Sequence, residues 1–243
     1  MKDMDLRQPA HSFEMRVNRP STLLRDEVLS KLRQAIVNGR YRPGERLLER
    51  DLCEALGVSR TSVRESLRQL EIEHLVTVEP RRGPQVAVIT EEVARQIYEL
   101  RIVLERKAVA LFVERAPPAA FAELRDINER FRQATSAGDL ETRLQLKVRF
   151  YDVLFGSAGN AVMHTFFRQL FNRIGYLRSR SLQDMRNVGQ RAAELDAFLA
   201  ALEARNVAAA QDAIEAHVRS LGENAIAKLR SEADEWQLRP VRL

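Results

Sequence analysis

Thiols are almost absent from this chain of 243 residues: Cys53 is its only cysteine. One thiol can build neither an internal disulfide framework nor a CxxC metal or redox site, and a reducing cytoplasm fits that usage best. Long apolar runs are missing as well. The first twenty residues are polar and interrupted by Pro9 and Pro20, so they lack the apolar segment of a secretory signal, and no later run approaches the length that spans a bilayer. Catalytic signatures are equally scarce, with no glycine-rich phosphate loop, no HExxH and no GxSxG. The expectation is a soluble protein that is not an enzyme and has no membrane partner, with a disordered N-terminal arm over residues 1–20. A helical-bundle enzyme is the main competing class, and turnover of a bound ligand would distinguish it.

What is present is enough apolar material, 45% of residues, to bury one large or two ordinary cores. The formal net charge of +5 permits binding to phosphate without demanding it. Residues 21–88 hold twelve Lys and Arg against ten Asp and Glu, so placement has to carry any argument from charge.

Leu24, Val28, Leu32, Ala35 and Ile36 recur at helical spacing and lead to Asn38-Gly39, where a glycine can end a helix in the left-handed conformation. A second short helix through Leu52 and Leu56 stops at Gly57, and Ser59 is a candidate N-cap for a third helix from about Thr61 to Glu73. Val63, Leu67 and Leu70 share one face of that helix, and Arg60, Arg64 and Arg68 share another. Two β-prone runs follow, Leu75 to Val78 and Gln85 to Ile89. The Pro- and Gly-containing loop between them, Glu79 to Pro84, suits a hairpin with a basic tip.

From Thr90 the strand signal disappears. Breaks at Pro117-Pro118, Ser136 to Asp139, Gly156 to Asn160, Asn187 to Gly189 and Asn206 predict about six helices. The expected fold is mainly α: a winged helix-turn-helix of three helices plus a β-hairpin wing over 21–89, then an all-α antiparallel bundle over 90–232 and a C-terminal tail over 233–243.

A helix fits the DNA major groove, arginine reads guanine through two hydrogen bonds, and hydroxyls and helix N-terminal amides hold phosphates. Ser59-Arg60-Thr61-Ser62-x-Arg64 brings all three to one helix start. Taken alone, that arginine spacing fits a solvated basic face with a hydroxyl cap better than a DNA contact. The tight turn before it and the basic hairpin after it favour DNA.

The stretch Ala35-Ile36-Val37-Asn38-Gly39 through Pro43-Gly44-Glu45-Arg46-Leu47, then Leu56 to Glu71, resembles the winged helix of GntR-type regulators. Tyr98-Glu99-Leu100-Arg101-x-x-Leu104-Glu105, Arg149-Phe150-x-x-x-Leu154-Phe155 and Gly159-Asn160 resemble the FCD-type helical domain of the FadR-like branch. The resemblance implies a homodimer on double-stranded DNA with an inverted-repeat operator. It places DNA contacts at Arg50, Ser59, Arg60, Thr61, Ser62, Arg64, Arg82 and Gly83. It also implies a small-molecule effector and repression as the default. A constitutive DNA-binding regulator without an effector is the alternative. His74 departs from the family pattern, which usually has glycine there.

Many FadR-like members hold a divalent metal through an Asp and a His four residues apart and two later His. Here the aligned positions carry Lys147, Tyr151 and Leu195, and only His217 keeps a ligand type. Neither a protonated lysine nor a leucine coordinates, so no metal and no other cofactor is expected. His217 shares a stripe with Ile214, Leu221 and Ala225, which suits a packed histidine with one hydrogen-bond partner. Lys147 and Tyr151 share a stripe with Leu140, Leu144 and Phe155 and would face the bundle interior. There Lys147, with Arg101, Tyr151 and His217, could bind an anionic effector directly; alternatively Lys147 pairs with Glu105 or snorkels to solvent. Apart from the resemblance, Arg101 reads as a helix-surface partner of Glu105.

Overall fold

The computed structural model describes residues 22–183 and 188–237. The expected arm over residues 1–20 and the end of the tail, 238–243, lie outside the described residues.

Helix α1 (Thr22–Val37) buries Val28, Leu32 and Ile36, which its four-residue spacing stacks on one face. Helix α2 (Glu49–Leu56) carries Glu49 and Asp51 in its first turn, where the helix dipole favours negative charge. It stops at Gly57, whose φ of 66° would cost a residue with a Cβ about 1–2 kcal/mol. The Ser59 hydroxyl then accepts from the Ser62 amide at 3.2 Å and starts α3 (Arg60–Ile72). This turn fixes α3 against α2, while the Arg33 guanidinium forks onto both oxygens of Glu73 at 2.7 Å and ties α1 to the end of α3.

The hairpin of β1 (Val76–Glu79) and β2 (Gly83–Val86) is antiparallel, pairing Val76 with Val86 and Glu79 with Gly83. β1 lies within one residue of its expected run, whereas β2 starts two residues before and ends three residues before its own, because it pairs through the loop residues Gly83 and Pro84. Residues 44–47 extend this edge: the Leu47 amide donates to Pro84 O and the Val86 amide to Glu45 O, each at 2.9 Å. Leu47, Leu52, Val63, Leu67, Leu70, Leu75, Val76 and Val86 complete the core of the unit, with Cys53 packed at its margin. His74 has φ 57° between α3 and β1, so the histidine occupies the left-handed turn that a glycine would adopt without strain.

The remaining elements are helical: α4 (Glu91–Arg115), α5 (Pro118–Ser136), α6 (Leu140–Ser157), α7 (Ala161–Arg173), α8 (Gly175–Gln183), α9 (Val188–Glu203) and α10 (Val207–Gln237). Thr90, Asp139 and Asn160 cap α4, α6 and α7 through their side-chain oxygens. Helix α10 packs along α4 and α9, and α5 along α6. Phe155 and Phe167 stack at 4.0 Å between centroids inside the bundle, joined by Tyr151 and Phe171. Burying each such side chain contributes on the order of 2–3 kcal/mol.

Two expectations for this region need correction. Among the described residues there are seven helices after the wing rather than about six, because the predicted segment from Asn160 to Asn187 is divided at Ile174. Gly175, which opens α8, lies so close to α1 that a Cβ there would sit 2.5 Å from Val37 Cγ1 and 2.9 Å from Val37 Cα. The glycine that permits this approach was the unread signal. Second, α10 continues to Gln237, into the stretch expected to be tail.

Helix α8 thus joins the two parts of the molecule. Its Ser179 hydroxyl donates to Asn38 O at 3.1 Å, at the end of α1, while Leu182 faces the bundle interior.

Candidate functional site

The first turn of α3 is exposed at Arg60 and Thr61, beside the capping hydroxyls of Ser59 and Ser62, which lie 3.0 Å apart. Arg60 and Arg68 have no carboxylate within ion-pair distance among the described residues. Arg64 is different. Its Nε meets both oxygens of Glu49 at 2.8 and 2.9 Å, and that hydrogen bond holds the guanidinium above its ordinary pKa. Glu49 lies fifteen residues away on α2, so helical spacing gave no hint of it. Arg50 projects into solvent beside Asp51, at 3.1 Å. At the wing tip Arg81 and Gly83 both take positive φ, 76° and 78°, and Arg82 lies 3.6 Å from Glu79. The surface therefore combines a hydroxyl-rich helix N-terminus, an arginine free of acidic neighbours, a second one oriented by a carboxylate, and a basic hairpin tip.

The second site is a cavity of about 280 Å³ enclosed by α5, α6, α8, α9 and α10. Arg132, Arg143, Lys147 and Arg191 line it together with Asn128, Phe131, Leu195 and His217; among the described residues no Asp or Glu lines it, although Asp196 pairs with Arg132 at its edge. Lys147 is buried, its Nζ lies 5.2 Å from the Phe131 ring centroid and 5.7 Å from that of Phe150, and no carboxylate pairs with it among the described residues. Burial, with the nearby Arg101 charge, pushes its pKa down to about 8. His217 is also buried. Its Nδ1 lies 2.9 Å from Glu194 Oε2, and burial outweighs that carboxylate and pushes its pKa down to about 4.

The four effector residues expected from the sequence are thereby divided. Lys147 and His217 border the cavity, whereas Arg101 and Tyr151 do not. Arg101 Nε donates to Glu105 Oε1 and its Nη2 to the Tyr151 hydroxyl, both at 2.8 Å, with the rings of Tyr98, Tyr151, Phe167 and Phe171 within 6 Å. The Arg101–Glu105 pair expected on the helix surface is therefore wholly enclosed: these side chains are 2% and 0% exposed. Burial works against the Arg101 charge, but Glu105 and the two phenols hold its pKa above the ordinary arginine range. Glu105 belongs to Arg101 and not, as one alternative had it, to an ion pair with Lys147. Arg132, Arg143 and Arg191 were missed because only the packing of α5, α6 and α9 brings them together.

The donor set does not fit the divalent metal of FadR-like relatives. Of the four aligned positions, Lys147 offers an ammonium, Leu195 offers nothing, and the Tyr151 hydroxyl accepts from Arg101 outside the cavity, which leaves His217 as the one ordinary ligand type. Among the described residues, no three His, Cys, Asp or Glu cluster as a metal site.

A model of the FCD domain matches residues 96–220, and one of bacterial regulatory proteins of the gntR family matches residues 24–86. The chain belongs to the GntR family. The regulator is 31% identical over 149 residues to the HTH-type transcriptional regulator McbR of Escherichia coli, covering 61% of this chain and 67% of that one. It is 28% identical over 148 residues to the gluconate operon transcriptional repressor of Bacillus subtilis, covering 60% and 58%. Its fold matches the solved E. coli McbR/YncC structure with a TM-score of 0.75 at 26% identity, over 86% of this chain and 98% of that one. It is a DNA-binding transcriptional regulator and not an enzyme. No described helix is long and apolar enough to cross a membrane.

Proposed function

We propose that this regulator binds an inverted-repeat operator as a homodimer and that a small organic anion in the helical-domain cavity changes its operator affinity. The observation that carries the reading is the buried Lys147 ammonium on the cavity wall, which among the described residues no carboxylate neutralises. Such a group favours an anion wherever water is excluded. Arg60, Thr61 and Ser62 at the start of α3 enter the major groove, with Arg64 beside them. Ser59 and Arg50 hold phosphates, and Arg82-Gly83 at the wing reaches the neighbouring groove.

Two identical helices meet two identical half-sites, so the operator repeats with dyad symmetry. GntR regulators are generally dimeric. Here α4 and α7, which pack together, expose Leu100, Val103, Val162 and Phe166, apolar surface that a second copy would cover. Control works by linkage: the effector prefers one arrangement of the helices, and that preference reaches the winged unit through α8. Support for repression comes from the similarity to the gluconate operon transcriptional repressor of Bacillus subtilis. A cytoplasmic site of action follows from the regulatory role.

The test is fluorescence anisotropy on DNA upstream of the regulator's own gene, with a panel of organic acids. One dimer should bind an inverted repeat, and at least one acid should weaken it. Unchanged affinity across the panel would instead establish constitutive DNA binding.

A further inference from the structure

His217 Nε2 is buried, borders the cavity through its side chain and has no hydrogen-bond partner among the described residues. The other ring nitrogen decides what Nε2 can do. Nδ1 faces the Glu194 carboxylate, which only accepts, so Nδ1 carries the proton and Nε2 presents a lone pair. The ring is neutral at physiological pH, because burial opposes its charge more strongly than Glu194 supports it. Leaving a buried acceptor unsatisfied is unfavourable, so a ligand able to donate there is preferred over one that cannot. Across the same cavity, Lys147 offers an ammonium without a carboxylate partner among the described residues.

Building on the effector reading above, we propose that the cavity takes a hydroxyl-bearing organic acid without a metal ion. The ligand carboxylate meets Lys147 and its hydroxyl donates to His217 Nε2. The donor is a hydroxyl rather than an ammonium, since the Lys147 charge, close enough to oppose protonation of His217, would repel a second cation there. His217 therefore acts as a hydrogen-bond acceptor for the ligand, where the family's histidine is a metal ligand. Leu195, at another of the aligned positions, contributes apolar wall.

Isothermal titration of the full chain, dialysed against EDTA, with matched acids tests this: lactate against propionate and malate against succinate. The hydroxy member of at least one pair should bind about tenfold more tightly, the value of one well-made buried hydrogen bond. His217→Phe, which keeps a ring but removes the acceptor, should erase that difference while retaining the weaker affinity. If the variant does not fold, the wild-type comparison decides alone. Equal binding within every pair overturns the role of His217 and leaves the effector cavity standing. Binding that is lost on chelation and restored by Zn²⁺ overturns metal independence. Failure of all four acids to bind refutes the anion cavity itself.

Discussion

Replacing Lys147 by methionine should stabilise the ligand-free regulator and at the same time abolish its response to organic acids. Burial takes the Lys147 pKa from an ordinary 10.5 to about 8, and each unit is worth 1.36 kcal/mol, so carrying this charge at neutral pH costs roughly 3 kcal/mol. Methionine fills a similar volume without the charge but gives up the cation–π contacts to Phe131 and Phe150, about 0.5–1 kcal/mol each. The net gain is about 1–2 kcal/mol, readable by urea unfolding at pH 7. The pH dependence provides an internal check. Because the folded pKa of this base is depressed, the unfolded chain binds more protons between about pH 8 and 10.5. Wild type gains stability as pH rises through that window, and the variant's advantage should shrink over the same range. A Lys147→Met protein less stable than wild type at pH 7 would refute the reasoning, since the ammonium would then be part of the framework. A variant that still bound organic acids at wild-type affinity would remove Lys147 from the site.

His217 gives a second pH signature of the opposite range: its folded pKa of about 4 lies below the ordinary 6.5, so stability should fall as pH drops through that interval, by up to about 3 kcal/mol. Urea midpoints at pH 7 and 4.5 should differ less in His217→Phe than in wild type. Arg60→Ala should cost about 1–3 kcal/mol of discrimination between operator and scrambled DNA in anisotropy titrations; equal weakening on both sequences would make Arg60 a phosphate contact. Gly175→Ala drives a Cβ into Val37 and should destabilise by about 1–3 kcal/mol in thermal unfolding, whereas an unchanged midpoint would mean that the α1–α8 contact yields freely. His74→Gly should stabilise the winged unit by about 1 kcal/mol by relieving the left-handed histidine.

The winged unit was legible because its signals are local. Gly57, Ser59, the Val63-Leu67-Leu70 stripe and the Pro-Gly hairpin loop act within a few residues of the elements they specify; β1 and α3 came out within one residue and β2 within three. The helical domain was legible as helices but not in number, since the break at Ile174 carries no proline and lies beside Gly175, whose close approach to Val37 of α1 is visible only in the packed structure. The residues of the site followed the same split. Helical spacing put Lys147 and Tyr151 on one inward face, and both are buried. Spacing could not tell that Tyr151 and Arg101 would close on Glu105 while Lys147 would stand apart from it.

By itself, then, the sequence determined where the chain turns helical, which helix start carries Ser59, Arg60, Thr61, Ser62 and Arg64, and which family motif they compose. Tertiary structure decided how those charges are used. It set Glu49 on Arg64, enclosed Arg101 with Glu105, and gathered Arg132, Arg143, Lys147 and Arg191 from three helices around one cavity. Helix and turn preferences arise from neighbours a few residues apart, whereas a buried charge takes its energy from whatever packing brings within a few ångströms, and that is set by the whole chain.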